Sequence, residues 1–288
     1  MTEKVMYNKV TIIGVGLMGG SLGLVLKKKG LANEVMGWGR NEGRLGVALK
    51  RGALDRWTLD REEALANTDL LVFATPSGVT SRLAPKWFAE APSGCLITDL
   101  LSVKGKVVET LTGLAGPRRY YASSHPLCGL ERTGVAAARA DLFDNRLCLI
   151  TPVSATKKQA IGELQKLWQA LGMRVISIAP ARHDRVVAAV SHLPHLVAAA
   201  LISQIGDEKL LRFSGTGLMD TTRVAGADPA LWAEIISDNR KEVLVQIDGI
   251  LETLMLVKQH IASKDPARIG NWLKKAHFRR RKLNDKIR

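Results

Sequence analysis

Lys9-Val10-Thr11-Ile12-Ile13-Gly14-Val15-Gly16-Leu17-Met18-Gly19 decides how the rest of the chain is read. A short β-branched run stops at a glycine, and over residues 17–29 apolar side chains recur at helical spacing until Gly30 ends them. The stretch reads as strand, tight turn, helix, with G-x-G-x-x-G inside it. Each glycine has a physical reason: one permits the turn, the next lets backbone N–H groups approach a pyrophosphate, and the third lets helix pack on strand. The helix N-terminus then favours the anion. A chain with 26 glycines throws up isolated triplets by chance. Here the flanking strand and helix make Gly14, Val15, Gly16, Leu17, Met18 and Gly19 a candidate dinucleotide site.

Further strand candidates lie at residues 34–38, 70–74, 95–100, 120–124, 147–151 and 175–179, with helical or loop material between most of them. This alternation predicts a Rossmann-like α/β domain, a mostly parallel sheet covered on both faces. After Pro180 strand signals disappear, and residues 182–206, 230–256 and 266–286 read as helices. The change of period predicts a dinucleotide-binding domain over residues 1–180 and an all-α domain over 181–288.

At 288 residues, 46% hydrophobic and 24% charged, the chain has room for two domains and lacks a disordered composition. No unbroken run approaches the ~18 apolar residues of a membrane span, and the N-terminus lacks a basic region followed by an apolar stretch, so a cytoplasmic protein with no membrane partner is expected. Cys95, Cys128 and Cys148 are odd in number and widely spaced, which predicts reduced thiols rather than a disulfide framework or zinc ribbon. Of the formal charge of +15, residues 274–288 carry +7, eight Lys or Arg against Asp285. That tail has no aromatic platform beyond Phe278, so a solvated helix end is favoured over a nucleic-acid or membrane contact. The remaining +8 suits a protein that attracts phosphates and carboxylates.

Which dinucleotide binds turns on the end of the second strand, Gly37-Trp38-Gly39-Arg40-Asn41. The acid that usually holds the ribose hydroxyls of NAD, ~20 residues past the first glycines, is missing there. Arg40, with Arg44 nearby, either holds the extra phosphate of NADP, or stacks on the adenine or points to solvent. The cofactor is therefore NAD or NADP.

Three later segments carry chemistry. In Ser124-His125-Pro126-Leu127-Cys128-Gly129, His125 follows a predicted strand, projecting at its carboxyl end before Pro126 stops pairing. It is either a proton acceptor suited to neutral pH or a turn histidine bonded to backbone. Ser191-His192-Leu193-Pro194-His195 places its polar residues at helical spacings i, i+1 and i+4 around a proline. They line a site or are satisfied at a helix kink; with no third ligand evident, no metal is expected. In Asp220-Thr221-Thr222-Arg223, the Arg223 fork either clamps a carboxylate, oriented by Asp220, or simply pairs with it.

Taken in order, these segments resemble the prephenate and arogenate dehydrogenases of tyrosine biosynthesis. The resemblance runs through nearly the whole chain, including Ser102-Val103-Lys104-Gly105, Asp228-Pro229 and Trp232. It implies a dinucleotide-binding domain followed by a helical dimerisation domain, a small dicarboxylate substrate and a homodimer. The implied reaction is oxidative decarboxylation of prephenate to 4-hydroxyphenylpyruvate, or of arogenate to tyrosine, with hydride transfer to NAD(P). On the matching positions, His125 accepts the proton of the ring hydroxyl, Ser102 supports that hydroxyl or His125, and Arg223 binds a substrate carboxylate. His192 and His195 line the pocket, and Trp232 closes it, from the same or the partner subunit.

The chain departs from the family pattern at Leu130, commonly Thr or Ser, at Cys128, usually Ala, and at Gly39, commonly Asp. With no chorismate mutase segment before the glycine loop and no room for a regulatory domain after the helices, a single-function enzyme is expected. Two other readings stay open. A 3-hydroxyacid dehydrogenase or imine reductase would want a catalytic Lys or Asp where His192-Leu193-Pro194-His195 stands. A non-catalytic NAD(P) sensor would not need His125.

Overall fold

The computed structural model describes residues 5–287. The glycine loop does join a strand, β1 (Tyr7–Ile13), to a helix, Leu17–Lys28. β1 is central to a six-stranded sheet with β2 (Ala32–Trp38), β3 (Arg56–Thr58), β4 (Leu70–Phe73), β5 (Leu96–Asp99) and β6 (Tyr120–Tyr121), in the order β3-β2-β1-β4-β5-β6. All five pairings are parallel, which gives the doubly wound arrangement with its switch point between β1 and β4. Side-chain alternation splits the core. Val10, Ile12, Leu70, Val72 and Leu96 join a cluster with Leu22, Leu26 and Trp168. Ile13, Leu71, Phe73 and Ile97 join Trp87, Phe88 and Leu111 in a second. A sheet buried on both faces explains the unbroken apolar runs in its strands.

Three expectations need correcting. Residues 120–124 are not one strand: the large sheet ends at β6, and the chain steps into β7 (Ser124–Leu127) of a second sheet. There β7 runs antiparallel to β8 (Leu147–Ile150), which is parallel to β9 (Arg174–Ser177). Pro126 does not stop pairing either. It stands opposite Cys148, and an edge strand tolerates the missing N–H. The helix expected over 230–256 is broken at Asn239 into Pro229–Asp238 and Arg240–Ala262. β3, three residues long, was too short to show a period.

Beyond β9 the described residues form helices only, beginning with a continuous run from Pro180 to Ser203. Its middle, Ala188–His192, is a π-helical turn just ahead of Pro194, so the proline follows a stretch already out of α register. Although no unbroken apolar run predicted it, this helix is long and apolar enough to cross a membrane by length and composition alone. It nonetheless buries His183, Asp184, His192 and His195.

The chain divides into two compact units, residues 1–240 and 241–288. In the second, Leu244, Val245, Leu251, Leu254, Met255 and Ile261 are exposed, as is Phe278. The basic residues 274–282 lie exposed on the helix Pro266–Ile287, with Lys282 Nζ over the Phe278 ring.

Candidate active site

The loops at the carboxyl ends of β1, β4 and β5 lie against one another. Gly14 has φ +89°, and a Cβ there would stand 2.5 Å from Thr75 Cγ2 and 2.9 Å from the Ala74 carbonyl oxygen. A Cβ on Gly19 would stand 2.3 Å from the Gly14 carbonyl oxygen. Around Gly16, by contrast, no atom of the described residues beyond its immediate chain neighbours and nearby helix backbone lies within 4 Å of such a Cβ. Gly16 caps the helix Leu17–Lys28 without any side-chain hydrogen bond, so open space meets free N–H groups at a helix N-terminus. Those features fit a pyrophosphate. At the end of β2, Arg40 is exposed with no hydrogen bond or ion pair among the described residues, and Gly39 leaves ordinary contact distance, 3.5 Å, between a Cβ and Leu45.

From this edge the polar contacts continue to His125. The Leu100 N–H donates to the Phe73 carbonyl, 3.0 Å, tying the loop after β5 to β4. Asp99, last in β5, accepts from Lys104 Nζ and the Tyr121 hydroxyl, both at 2.7 Å, and from the Leu101 N–H. Lys104 Nζ also donates to the Ser124 carbonyl at 2.7 Å, which pins β7 just before His125. Lys104 is fully buried; burial lowers its pKa while the Asp99 carboxylate opposes the shift. Burial, then Asp99, pushes the Tyr121 hydroxyl well above its ordinary value.

His125 lies within β7, opposite Leu149, rather than past the end of a strand. Its Nδ1 is 2.9 Å from His183 Nε2, and His183 Nδ1 is 2.8 Å from Asp184 Oδ1. The Asp184 carboxylate also accepts the backbone N–H groups of Lys104 at 2.9 Å and Gly105 at 2.7 Å. Burial holds both imidazoles neutral, lowering His125 well below its usual value, helped there by His183 and Lys104. Burial alone would raise Asp184, but hydrogen bonds from His183, Lys104 and Gly105 outweigh it and keep the carboxyl ionised.

His192 and His195 are both buried and both meet Trp232. His195 stacks on the indole with centroids 3.6 Å apart, and His192 meets it edge-on at 6.0 Å. Asn239 Nδ2 donates to the Asp184 carbonyl at 2.8 Å and to His192 Nδ1 at 3.2 Å. Burial lowers His192 to about 4 and lowers His195, whose Nδ1 is buried without a hydrogen-bond partner among the described residues. Ser191 is half-buried.

The structure does not pair Asp220 with Arg223. Arg223 forms its ion pair with Glu131, and Asp220 is exposed. Ser102 is half-buried and makes no hydrogen bond among the described residues. Lys104, Glu131, His183, Asp184 and Asn239 received no role from the sequence. The His125–His183 contact joins residues 58 apart and the Lys104–Asp184 contact residues 80 apart, so no local spacing exposes them. The described residues hold no His, Cys, Asp and Glu cluster arranged for a metal ion.

Residues 22–177 match the family model described as prephenate dehydrogenase, nucleotide-binding domain, and residues 179–275 match that for prephenate dehydrogenase, dimerization domain. The chain is 30% identical to a prephenate dehydrogenase of Bacillus subtilis over 94% of its own length and 75% of the relative's. It is 31% identical to a cyclohexadienyl dehydrogenase of Zymomonas mobilis, over 90% of each chain. The structure superposes with a TM-score of 0.91 on an Aquifex aeolicus prephenate dehydrogenase solved with hydroxyphenyl propionate and NAD+, 28% identical, covering 98% of this chain and 100% of that one.

Proposed function

The chain belongs to the prephenate dehydrogenase family, and from that membership we propose how its own residues carry out the NAD(P)-dependent oxidative decarboxylation of prephenate or arogenate. One observation carries the assignment of roles: the contacts Gly14–Thr75, Leu100–Phe73 and Lys104–Ser124 link the glycine loop and His125 along a single edge of the fold. The 3-hydroxyacid dehydrogenase, imine reductase and sensor readings fall away with the family assignment.

Gly14, Val15, Gly16, Leu17, Met18 and Gly19 hold the dinucleotide pyrophosphate, and Arg40 takes the adenosine end. A bound nicotinamide would supply the acceptor for the hydride that leaves the ring carbon bearing the hydroxyl. His125, buried and neutral, accepts the hydroxyl proton as that carbon becomes a carbonyl. Loss of the ring carboxylate as carbon dioxide then sends its bonding electron pair through the ring to the carbonyl oxygen, which takes the proton back as the ring becomes aromatic, and that gain drives the reaction. Arg223 exchanges Glu131 for a substrate carboxylate, with Asp220 beside it in sequence, because a guanidinium binds a carboxylate bidentately. Ser102, without a hydrogen bond among the described residues, supports the hydroxyl or His125, while His192, His195 and Trp232 wall the pocket.

The domain reading, residues 1–180 for the dinucleotide and 181–288 for substrate and dimerisation, is supported by the last strand ending at Ser177 and the first helix beyond it starting at Pro180. A homodimer is supported by the dimerization-domain match and by the exposed apolar residues of 241–288. Three free cysteines, two of them buried, support a reducing cytoplasmic location.

The experiment crosses prephenate and arogenate with NAD and NADP and follows formation of reduced nicotinamide. Turnover in any combination supports the reaction and gives the specificity; silence in all four, with dinucleotide bound, overturns it.

A further inference from the structure

We propose that His183 and Asp184 are positioning residues that fix the tautomer of His125, placing its hydrogen on Nδ1 and leaving Nε2 as the only nitrogen able to accept a proton. The inference rests on the reading of His125 as the base. It follows from hydrogen-bond accounting along the line Asp184–His183–His125. The Asp184 carboxylate already accepts two backbone N–H groups, Lys104 on Oδ1 and Gly105 on Oδ2, so it stands as an acceptor only. At 2.8 Å from Oδ1, His183 Nδ1 must therefore be the donor. A neutral imidazole with its hydrogen on Nδ1 has a lone pair on Nε2. Nothing but a hydrogen on His125 Nδ1 can then fill the 2.9 Å gap between the two rings.

The ordering has a directional consequence. When the substrate O–H bond breaks and an N–H bond forms at His125 Nε2, the imidazolium faces a lone pair on His183 and, behind it, the Asp184 charge. Its own Nδ1 hydrogen is already committed to that line, so no reorientation accompanies the transfer. Asn239 orders the neighbouring ring into the opposite tautomer, since its Nδ2 can only donate, His192 Nδ1 must accept, and the His192 hydrogen is left on Nε2.

Asparagine at position 184 inverts the line. With its oxygen at the Oδ2 place, on the Gly105 N–H, its amide nitrogen takes the Oδ1 place, gives up the Lys104 N–H, faces His183 Nδ1 and forces the hydrogen onto His183 Nε2, so that His125 carries its own hydrogen on Nε2. The same inversion beside a catalytic histidine costs roughly 10⁴-fold in kcat in a serine protease.

The test is nitrogen-15 NMR of the imidazoles in protein labelled at its six histidines, with His125→Asn and His183→Gln used for assignment and steady-state kinetics on the same samples. The expected result is Nδ1–H on His125 and His183 in the wild type. In Asp184→Asn the hydrogen of His125 moves to Nε2, kcat falls by about 100-fold or more, and KM stays within about threefold. Nε2–H on wild-type His125 overturns the proposal, whether or not any variant folds. So does a hydrogen on His183 Nε2 in the wild type, because it would make His183 the donor across the 2.9 Å contact with His125. Absence of turnover in the wild type would count against His125 as the base of this reaction and leave the tautomer result standing on its own.

Discussion

Trp232 lies flat on His195, their rings 3.6 Å apart and inclined by only 7°. The indole shields that imidazole from water, and burial is the cause of its lowered pKa. Replacing Trp232 with Ala readmits solvent, so the His195 pKa rises toward its ordinary value near 6.5. NMR titration of the ring proton checks the direction. With part of the pocket wall gone, KM for the substrate is expected to rise about tenfold, a loss of roughly 1.4 kcal/mol.

Two glycines of one loop should fail in opposite ways. Gly16→Ala meets open space, so unfolding free energy changes by less than about 1 kcal/mol, while the methyl group enters the pyrophosphate space and dinucleotide affinity falls at least about tenfold. Gly14→Ala combines a positive φ with clashes against Thr75 and Ala74 and is expected to cost on the order of 1–3 kcal/mol of stability. Denaturant titration beside calorimetric binding separates the two.

Cofactor choice should be movable at the end of β2. Arg40→Ala removes the cation offered to a ribose phosphate and is expected to raise KM for NADP about tenfold with little change for NAD. Gly39→Asp fits without steric conflict, because Leu45 stands at ordinary contact distance. Its carboxylate repels that phosphate and accepts from ribose hydroxyls, so the ratio of kcat/KM values should swing toward NAD.

Lys104→Met strands the Asp99 carboxylate, buried and without its cation. Breaking one side of a buried ion pair costs roughly 3–5 kcal/mol, and a urea titration should show a loss of that size. The Ser124 carbonyl loses its donor too, so residual activity should fall along with stability.

Acid should destabilise the protein through its buried histidines. His125, His183, His192 and His195 all titrate lower in the folded chain than the value near 6.5 expected when unfolded. As pH falls below about 6.5 the unfolded chain takes up protons first. Stability is thus full above that value and drains as pH falls toward the folded pKa, about 4 for His192. Each such histidine removes at most about 1.4 kcal/mol per pH unit. Urea midpoints measured on either side of pH 6 check the sign, and His192→Gln should flatten the slope.

What the sequence disclosed and what it hid divide along physical lines. The dinucleotide half was legible because β-branched runs and glycine turns are local signals, and β1, β4 and β5 lie within a residue or two of their expected ends. His125 was legible as a residue but not as a place, because Pro126 was read as a terminator when an edge strand accommodates it. The residues behind His125 were hidden because their contacts cross long stretches of chain, and because a buried Lys or Asp looks like a surface one until its partners are known. Arg223 finds its ion-pair partner at Glu131, 92 positions earlier, rather than in its own Asp220 segment.

The π-helical turn at Ala188–His192 sets the phase between the helical segments on either side of it. Each residue of an α-helix turns its side chain by about 100°, and a π-turn amounts to one residue too many. The helix from Pro180 to Ser203 is therefore two half-helices cut to different phase, the first aiming His183 at His125 and the second aiming His195 at Trp232. Shortening it by a single residue would restore a regular helix and point one half away from the site.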